Sequence, residues 1–391
     1  MAIEAVDSRA RGLGRRRDDV QGALAVVRRL DWILLAAVGV TLAYGLIAID
    51  GITQNDPGGS ALMRQSIYAA MGCVMFVIVL FIDPSLYRRY HRLVYGGMVA
   101  FMIGVLGLGV ATRGSRRWID VGFFRFQPSE FGKVLMALFL AGFLAERTRR
   151  VEEMRTPLQT ILVALFPIGL VFVQPDIGTA LVYAATLGAA LFLSGMRWSH
   201  LTLIGSVGLV VVLSVLWWLP AAGVNVLKPY QQQRLIGFTD PSSDPRGATY
   251  NINQSITTVG SGGLRGRGVV GATQTRLDYL PEHATDFAFA SLAEQRGFFG
   301  AITLLMLYLL IVWRGLRIVT GARDLFCAVA AGSLVSAFLF QVFVNVGMTI
   351  GVAPITGIPL PFVSVGGSSM ITNLTAMGLL QAIHARGGRR R

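Results

Sequence analysis

The stretch Trp32-Ile-Leu-Leu-Ala-Ala-Val-Gly-Val-Thr-Leu-Ala-Tyr-Gly-Leu-Ile-Ala-Ile49 runs without one charged side chain. A helix of roughly 20 mostly apolar residues crosses the hydrocarbon core of a bilayer, so this run reads as a membrane span. Nine more runs read alike, at about Ile67–Ile82, Leu93–Ala111, Phe131–Ala145, Leu158–Val173, Ile177–Met196, Leu201–Leu219, Ala290–Trp313, Phe326–Met348 and Ser368–His384. The expected fold is an all-α polytopic membrane protein of about ten transmembrane helices. Composition agrees. Of 391 residues, 53% are hydrophobic and 14% charged, against roughly a quarter charged in soluble domains. A mean hydropathy of +0.59 argues against a soluble domain and excludes a disordered chain. No signal-peptide cleavage pattern precedes the first span.

The formal charge is +14, and Lys133 and Lys228 are the only lysines among 35 basic residues. Such a chain could bind nucleic acid, but at this hydropathy its arginines read as topology signals and contacts to anionic membrane lipid. Arg15, Arg16 and Arg17 precede span one. Arg88, Arg89 and Arg92 follow span two, and Arg147, Arg149 and Arg150 follow span four. Arg314, Arg317 and Arg323 follow span eight, and Arg389, Arg390 and Arg391 close the chain. With ten spans these all face one side, which is then cytoplasmic, and both termini lie inside. The organisation expected is a basic tail over 1–30, a transmembrane unit over 31–385 and a basic tail over 386–391. Cys73 and Cys327 fall in apolar runs and read as core thiols rather than a disulfide framework.

Two outer loops break the charge rule. One reads Arg113-Gly-Ser-Arg116-Arg117-Trp118. The other, a large extracytoplasmic loop over 220–285 between spans seven and eight, holds Lys228, Arg234, Arg246, Arg265, Arg267 and Arg276. Outward basic clusters oppose the topological bias. They serve either an anionic ligand such as a pyrophosphate or local acids at Asp120, Asp240, Asp244 and Asp278. A loop this long is seldom structureless. Its turn signals, Asp240-Pro241, Asp244-Pro245 and Gly260-Ser-Gly-Gly263, suggest interfacial helices and a Gly-rich segment that re-enters the protein.

Charges at membrane depth are expensive and usually functional. Glu130 and Lys133 lie three apart and share a helix face, as an ion pair or as working groups. Asp176, in Gln174-Pro-Asp176-Ile-Gly-Thr179, sits at a tight turn and either caps the next helix or acts in a site. Asp286, where the outer loop dives into an apolar helix, could cap that helix or serve as a general base. Glu294 lies deeper, with Arg296 as an available partner. An uncharged Gly/Pro-broken outer segment, running from Asn345-Val-Gly-Met348 through Pro354 to Ser369, precedes the last span. Irregular backbone at that depth must line a cavity or be buried in protein. Ser364, Ser368 and Ser369 are placed either to cradle an oxyanion or to hold a re-entrant loop together. Metal-type spacing of His and Cys is absent.

Five motifs, in order, then resemble one family. They are Arg113-Gly-Ser-Arg-Arg-Trp118-Ile-Asp, Phe126-Gln-Pro-Ser-Glu130, Gln174-Pro-Asp176-Ile-Gly-Thr179, Pro281-Glu282 to Asp286-Phe287, and Pro359-Leu-Pro-Phe362 to Gly366-Gly-Ser-Ser369. Together they resemble the SEDS proteins (shape, elongation, division, sporulation) over essentially the whole chain after its tail. Gln254-Ser255 and Gly271-Ala-Thr-Gln274 are more similar to the elongation members, RodA, than to the division members, FtsW. His283-Ala284-Thr285, Val365 and Gln295-Arg296 depart from the usual pattern.

The resemblance implies a peptidoglycan glycosyltransferase of the bacterial cytoplasmic membrane. Such an enzyme polymerises lipid II into β-1,4 glycan at the outer membrane face, beside a class B penicillin-binding protein. It places the essential acid at Asp286 and supporting or substrate-binding positions at Arg113, Arg117, Trp118, Glu130, Lys133 and Asp176. A divalent cation, magnesium or manganese, is left open, since pyrophosphate substrates often bring one. A flippase for the lipid-linked precursor and a noncatalytic scaffold are the alternatives.

Overall fold

The computed structural model describes residues 25–54, 61–112, 115–120, 122, 125–223, 232, 238 and 249–387. Arg113, Lys228, Arg234, Arg246 and the two Asp-Pro turns lie outside them. Among the described residues, long helices coincide with every predicted apolar run. They are α1 (Trp32–Ile52), α2 (Ala61–Phe81), α3 (His91–Leu108), α4 (Pro128–Ala145), α5 (Arg155–Val173), α6 (Ile177–Leu193) and α7 (Trp198–Leu213). After the shorter α8 (Tyr250–Ser261) and α9 (Thr273–Arg276) come α10 (Ala288–Thr320), α11 (Leu325–Thr349) and α12 (Gly367–Gly387). Six of these, α1, α2, α4, α5, α10 and α11, are long and apolar enough to cross a membrane.

The helices differ sharply in burial. Helix α4 is an inner helix, with 89% of its apolar window buried against 28% for α2. Helix α11 is likewise enclosed, packing on α6, α10 and α4. Helix α12 packs on α2, and α10 on α1. At the other extreme α7 has no buried residue and turns Leu203, Val207 and Val211 outward, the surface a lipid-facing helix presents. Cys327 is buried as read, whereas Cys73 is exposed on the outside of α2 and is not a core thiol.

Two features depart from the hydropathy reading. First, α3 stops at Leu108, short of the expected Ala111, and the loop after it is not wholly irregular. It forms a three-stranded antiparallel sheet, β1 (Val110–Thr112), β2 (Ser115–Asp120) and β3 (Arg125–Phe126), pairing Val110 with Trp118 and Ile119 with Phe126. Strands this short, broken by arginines, leave no hydropathy signal. Second, α2 begins before Ile67. Arg64 and Gln65 interrupt the apolar run, yet Gln65 is fully buried because both ends of its amide are bonded.

Helix α10 breaks at Gly297, whose φ of 67° and ψ of −166° suit glycine and strain any other residue. The break frees backbone groups, and the Gly-rich turn after α8 fills the notch. Arg267 N donates to Glu294 O at 2.9 Å, and Phe298 N donates to Gly263 O at 2.9 Å. A Cβ on Gly262 or Gly266 would strike the backbone at Ala293–Arg296.

Candidate functional site

Asp286 ends a run of turns that leads from α9 into α10 and is partly buried. The cap position of α10 is the next residue, Phe287, which makes no side-chain cap bond. Contacts from α11 and from the Gly/Pro segment hold the Asp286 backbone region. Asn345 Nδ2 donates to Asp286 O at 3.0 Å, and Val365 N donates to Ala284 O at 2.9 Å. Glu294, two turns into α10 and fully buried, fixes the start of the same run. Its carboxylate accepts from Gln274 N at 2.9 Å, Thr275 N at 3.0 Å and Thr275 Oγ1 at 2.7 Å. It thus caps α9 and makes no ion pair with Arg296 among the described residues.

The Gly/Pro segment before α12 lies beside Asp286, and side chains from surrounding helices bond its irregular backbone, as burial demands. Asn345 Nδ2 donates to Ile358 O at 2.7 Å and Tyr308 Oη to Pro361 O at 2.6 Å. Gln65 Nε2 donates to Ser364 O at 3.0 Å, and Gln65 Oε1 accepts from Gly366 N at 3.1 Å. The three serines are engaged within the protein rather than lining an open cradle. Ser364 Oγ accepts from Leu360 N. Ser368 Oγ accepts from Gln127 N at 2.8 Å and donates to Arg125 O at 3.1 Å. Ser369 Oγ accepts from Asn373 Nδ2 at 3.1 Å. Ser368 therefore ties the start of α12 to the start of α4.

Gln127 continues the chain of contacts. Its Nε2 donates to Asp176 Oδ2 at 2.8 Å. Asp176 caps α6 by accepting from Thr179 N at 3.0 Å and Thr179 Oγ1 at 2.9 Å. It also faces Arg117, with Nη1 to Oδ2 at 3.8 Å. Asp176 is thus both the helix cap and a member of a buried polar cluster. Arg117 pairs with it, and among the described residues its buried Nε has no hydrogen-bond partner. Trp118, beside it on β2, is half-buried. Gly178 lets the segment come close, since a Cβ there would meet Thr356 O at 2.8 Å.

One turn into α4, Lys133 Nζ donates to Glu130 Oε2 at 2.7 Å, and both side chains are buried. Tyr183 of α6 donates from its hydroxyl to Ser129 O at 3.1 Å and is itself fully buried. The starts of α4, α6, α10 and α12, the end of α11 and the small sheet therefore meet at one end of the bundle. At the opposite end several charged groups form ion pairs. Arg314 Nη2 lies 2.6 Å from Asp31 Oδ2, and Arg386 and Arg323 flank Asp83.

Sequence reasoning missed Gln65, Tyr183 and Thr275 as parts of this end, and it named Gln127 and Asn345 only within longer motifs, without a role. The signal for Gln65 and Asn345 was present, since an amide inside an apolar helix needs a buried partner. The partners of Gln127 and Tyr183 gave none, because they are far apart in the chain.

These features define a polytopic membrane protein with a buried, charge-bearing site at one face of the bundle. A family model for cell cycle proteins, FTSW_RODA_SPOVE, matches residues 26–387, and the chain belongs to that family. It is similar to the peptidoglycan glycosyltransferase MrdB of Escherichia coli (strain K12), with 38% identity over 356 residues covering 91% of this chain and 93% of that protein. It is similar to the peptidoglycan glycosyltransferase RodA of Treponema pallidum (strain Nichols), with 31% identity covering 92% of this chain and 98% of that one. Among solved structures, a chain from a peptidoglycan synthase complex that coordinates polymerization and crosslinking superposes with a TM-score of 0.78 at 29% identity. The match covers 92% of this chain and 99% of that one. The family resemblance carried by the five motifs is borne out.

Proposed function

We propose that this chain is a peptidoglycan glycosyltransferase that polymerises lipid II into β-1,4 glycan at the outer face of the bacterial cytoplasmic membrane during cell elongation. The observation that carries the reading is the convergence of Asp286, Arg117, Asp176, Glu130 and Lys133 at one end of the bundle, within a hydrogen-bonded frame. The relatives' activity supports it.

In this mechanism Asp286 is the general base. It takes the proton from the acceptor's 4-hydroxyl as that oxygen attacks the donor sugar's anomeric carbon. The bond to pyrophosphate breaks, and inversion converts an α-linked donor to a β product. Pyrophosphate gains charge as it leaves, and cationic donors aimed at that charge lower the barrier. Arg113, Arg117 and Lys133 are the groups assigned to it. The Nε of Arg117, buried and without a hydrogen-bond partner among the described residues, is a donor suited to an anionic oxygen. Glu130 holds Lys133 in place, and Asp176 with Gln127 holds Arg117 and the sheet bearing Trp118. Ser368 and Ser369 are supports. Among the described residues no group of His, Cys, Asp and Glu stands close enough to hold a resident metal. A magnesium or manganese ion would come with the substrate, and no step here runs through it.

Ten crossings place both termini in the cytoplasm, with tails at 1–30 and 386–391 and the 220–285 loop outside. The unusual charges crowd the outer end, which favours chemistry there over a flippase, whose cavity would need functional charges reachable from both sides. The complex formed by the structural relative supports a class B penicillin-binding protein as partner.

The test is to feed labelled lipid II in detergent to the purified chain with a co-expressed class B partner, with and without divalent cation. The reading predicts a glycan ladder. No polymer from a folded complex, together with lipid II translocation in liposomes, would replace it with the flippase.

A further inference from the structure

We infer that Asn345 is a positioning residue for the candidate base, its side-chain amide tying the Asp286 backbone to the Gly/Pro segment and so fixing where the carboxylate stands. This rests on the reading of Asp286 as the base. Asn345 is fully buried near the end of α11. Its Nδ2 donates at 3.0 Å to Asp286 O and at 2.7 Å to Ile358 O. A side-chain amide nitrogen has two hydrogens, and two carbonyls use both. The two carbonyls also fix which way the amide faces, because its oxygen there would repel them.

The remaining atom argues for purpose. Among the described residues Asn345 Oδ1 is buried without a hydrogen-bond partner, an unfavourable state that a leucine of similar size would avoid. What asparagine adds at this position is the pair of N–H groups. The linked backbone also needs holding. Glu282 and Phe362, flanking the junction on its two strands of chain, have φ of 55° and 66°. Non-glycine residues keep such conformations only where neighbouring contacts over-determine them.

Position matters because a base works within about 2.6–3.2 Å of the proton it takes. A displacement of about 1 Å costs roughly 10²-fold in rate. Losing the amide link should therefore lower turnover while substrate binding, which relies on other groups, persists.

The experiment uses the full chain with its class B partner and labelled lipid II. It compares Asn345→Leu, Asn345→Asp, Asn345→Ser and Asp286→Asn, each checked for a monodisperse, folded peak. The expected result is a kcat about 10- to 100-fold lower for Asn345→Leu and Asn345→Asp, with KM within about two-fold. Asn345→Ser, which keeps one donor, should fall between these and the wild type. It decides the matter if the larger changes do not fold. A kcat within about two-fold of wild type for the folded variants, or a loss confined to KM, overturns the inference. An inactive Asp286→Asn beside a fully active Asn345→Leu would overturn it while leaving the base reading intact. An active Asp286→Asn would overturn both.

Discussion

Lys133 Nζ stands 2.7 Å from Glu130 Oε2 on the inner helix α4, and neither side chain is more than 4% exposed. Burying two charges is costly, and their attraction offsets that only while both are present. Glu130→Ala or Lys133→Ala alone should cost about 3–5 kcal/mol, and the paired change to Leu and Met should recover most of it. Thermal unfolding of the detergent-solubilised protein measures this. If Lys133 also holds pyrophosphate, the stable double variant will still fail to polymerise lipid II. A double variant with full activity would reduce the pair to packing.

Glu294 makes a second testable device. Its three bonds anchor α9 to α10. Glu294→Ala would leave buried donors at Gln274 and Thr275 unmet, at about 1–3 kcal/mol each. Hydrogen exchange should accelerate at residues 274 and 275 well before it does in α4. Protection unchanged at those two amides would refute the anchoring role.

Gly132 is set by a neighbour's volume. A Cβ there would collide with the Tyr183 hydroxyl and meet Met102 Cε at 2.7 Å. Overpacking of this kind costs about 1–3 kcal/mol. Gly132→Ala should therefore destabilise, and Tyr183→Phe in the same chain should cost less than the two changes summed. Additive losses would mean that the helices relax apart.

At the far end, Asp83 gives a pH dependence. Burial pushes its pKa up, but hydrogen bonds from Ser85 and the nearby Arg323 and Arg386 prevail and hold it below the usual carboxylate value. A folded pKa lower than the unfolded one contributes stability at higher pH, which is lost as pH falls through the folded value. Unfolding temperature should drop below about pH 4, and Asp83→Asn should flatten that limb while lowering the plateau. An acid limb identical in the variant would assign the loss to other carboxylates.

The apolar runs made the helices legible because lipid demands the same pattern everywhere, whatever the partner helix. The positions of Glu130, Lys133, Asp176 and Asp286 were legible for a related reason, since charge in an apolar run stands out. Their partners were not. Gln127 meets Asp176 and Ser368 only because α4, α6 and α12 start at one end, and spacing along the chain does not encode that. Glu294 shows the limit most clearly. Arg296 two residues away suggested an ion pair, whereas the kink at Gly297 and the turn after α8 give its carboxylate to the amides of α9. The sheet at Val110–Phe126 went unread because β-pairing is a property of two segments, and each was too short to announce itself.

The central claim is that Asp286 takes the acceptor's proton, and one measurement tests it directly. Glycan formation from labelled lipid II should be compared between wild type and Asp286→Asn, both folded and bound to the class B partner. The account predicts a rate about 10²–10⁴ lower for the variant, with lipid II still bound. Polymer made by Asp286→Asn at the wild-type rate would contradict it.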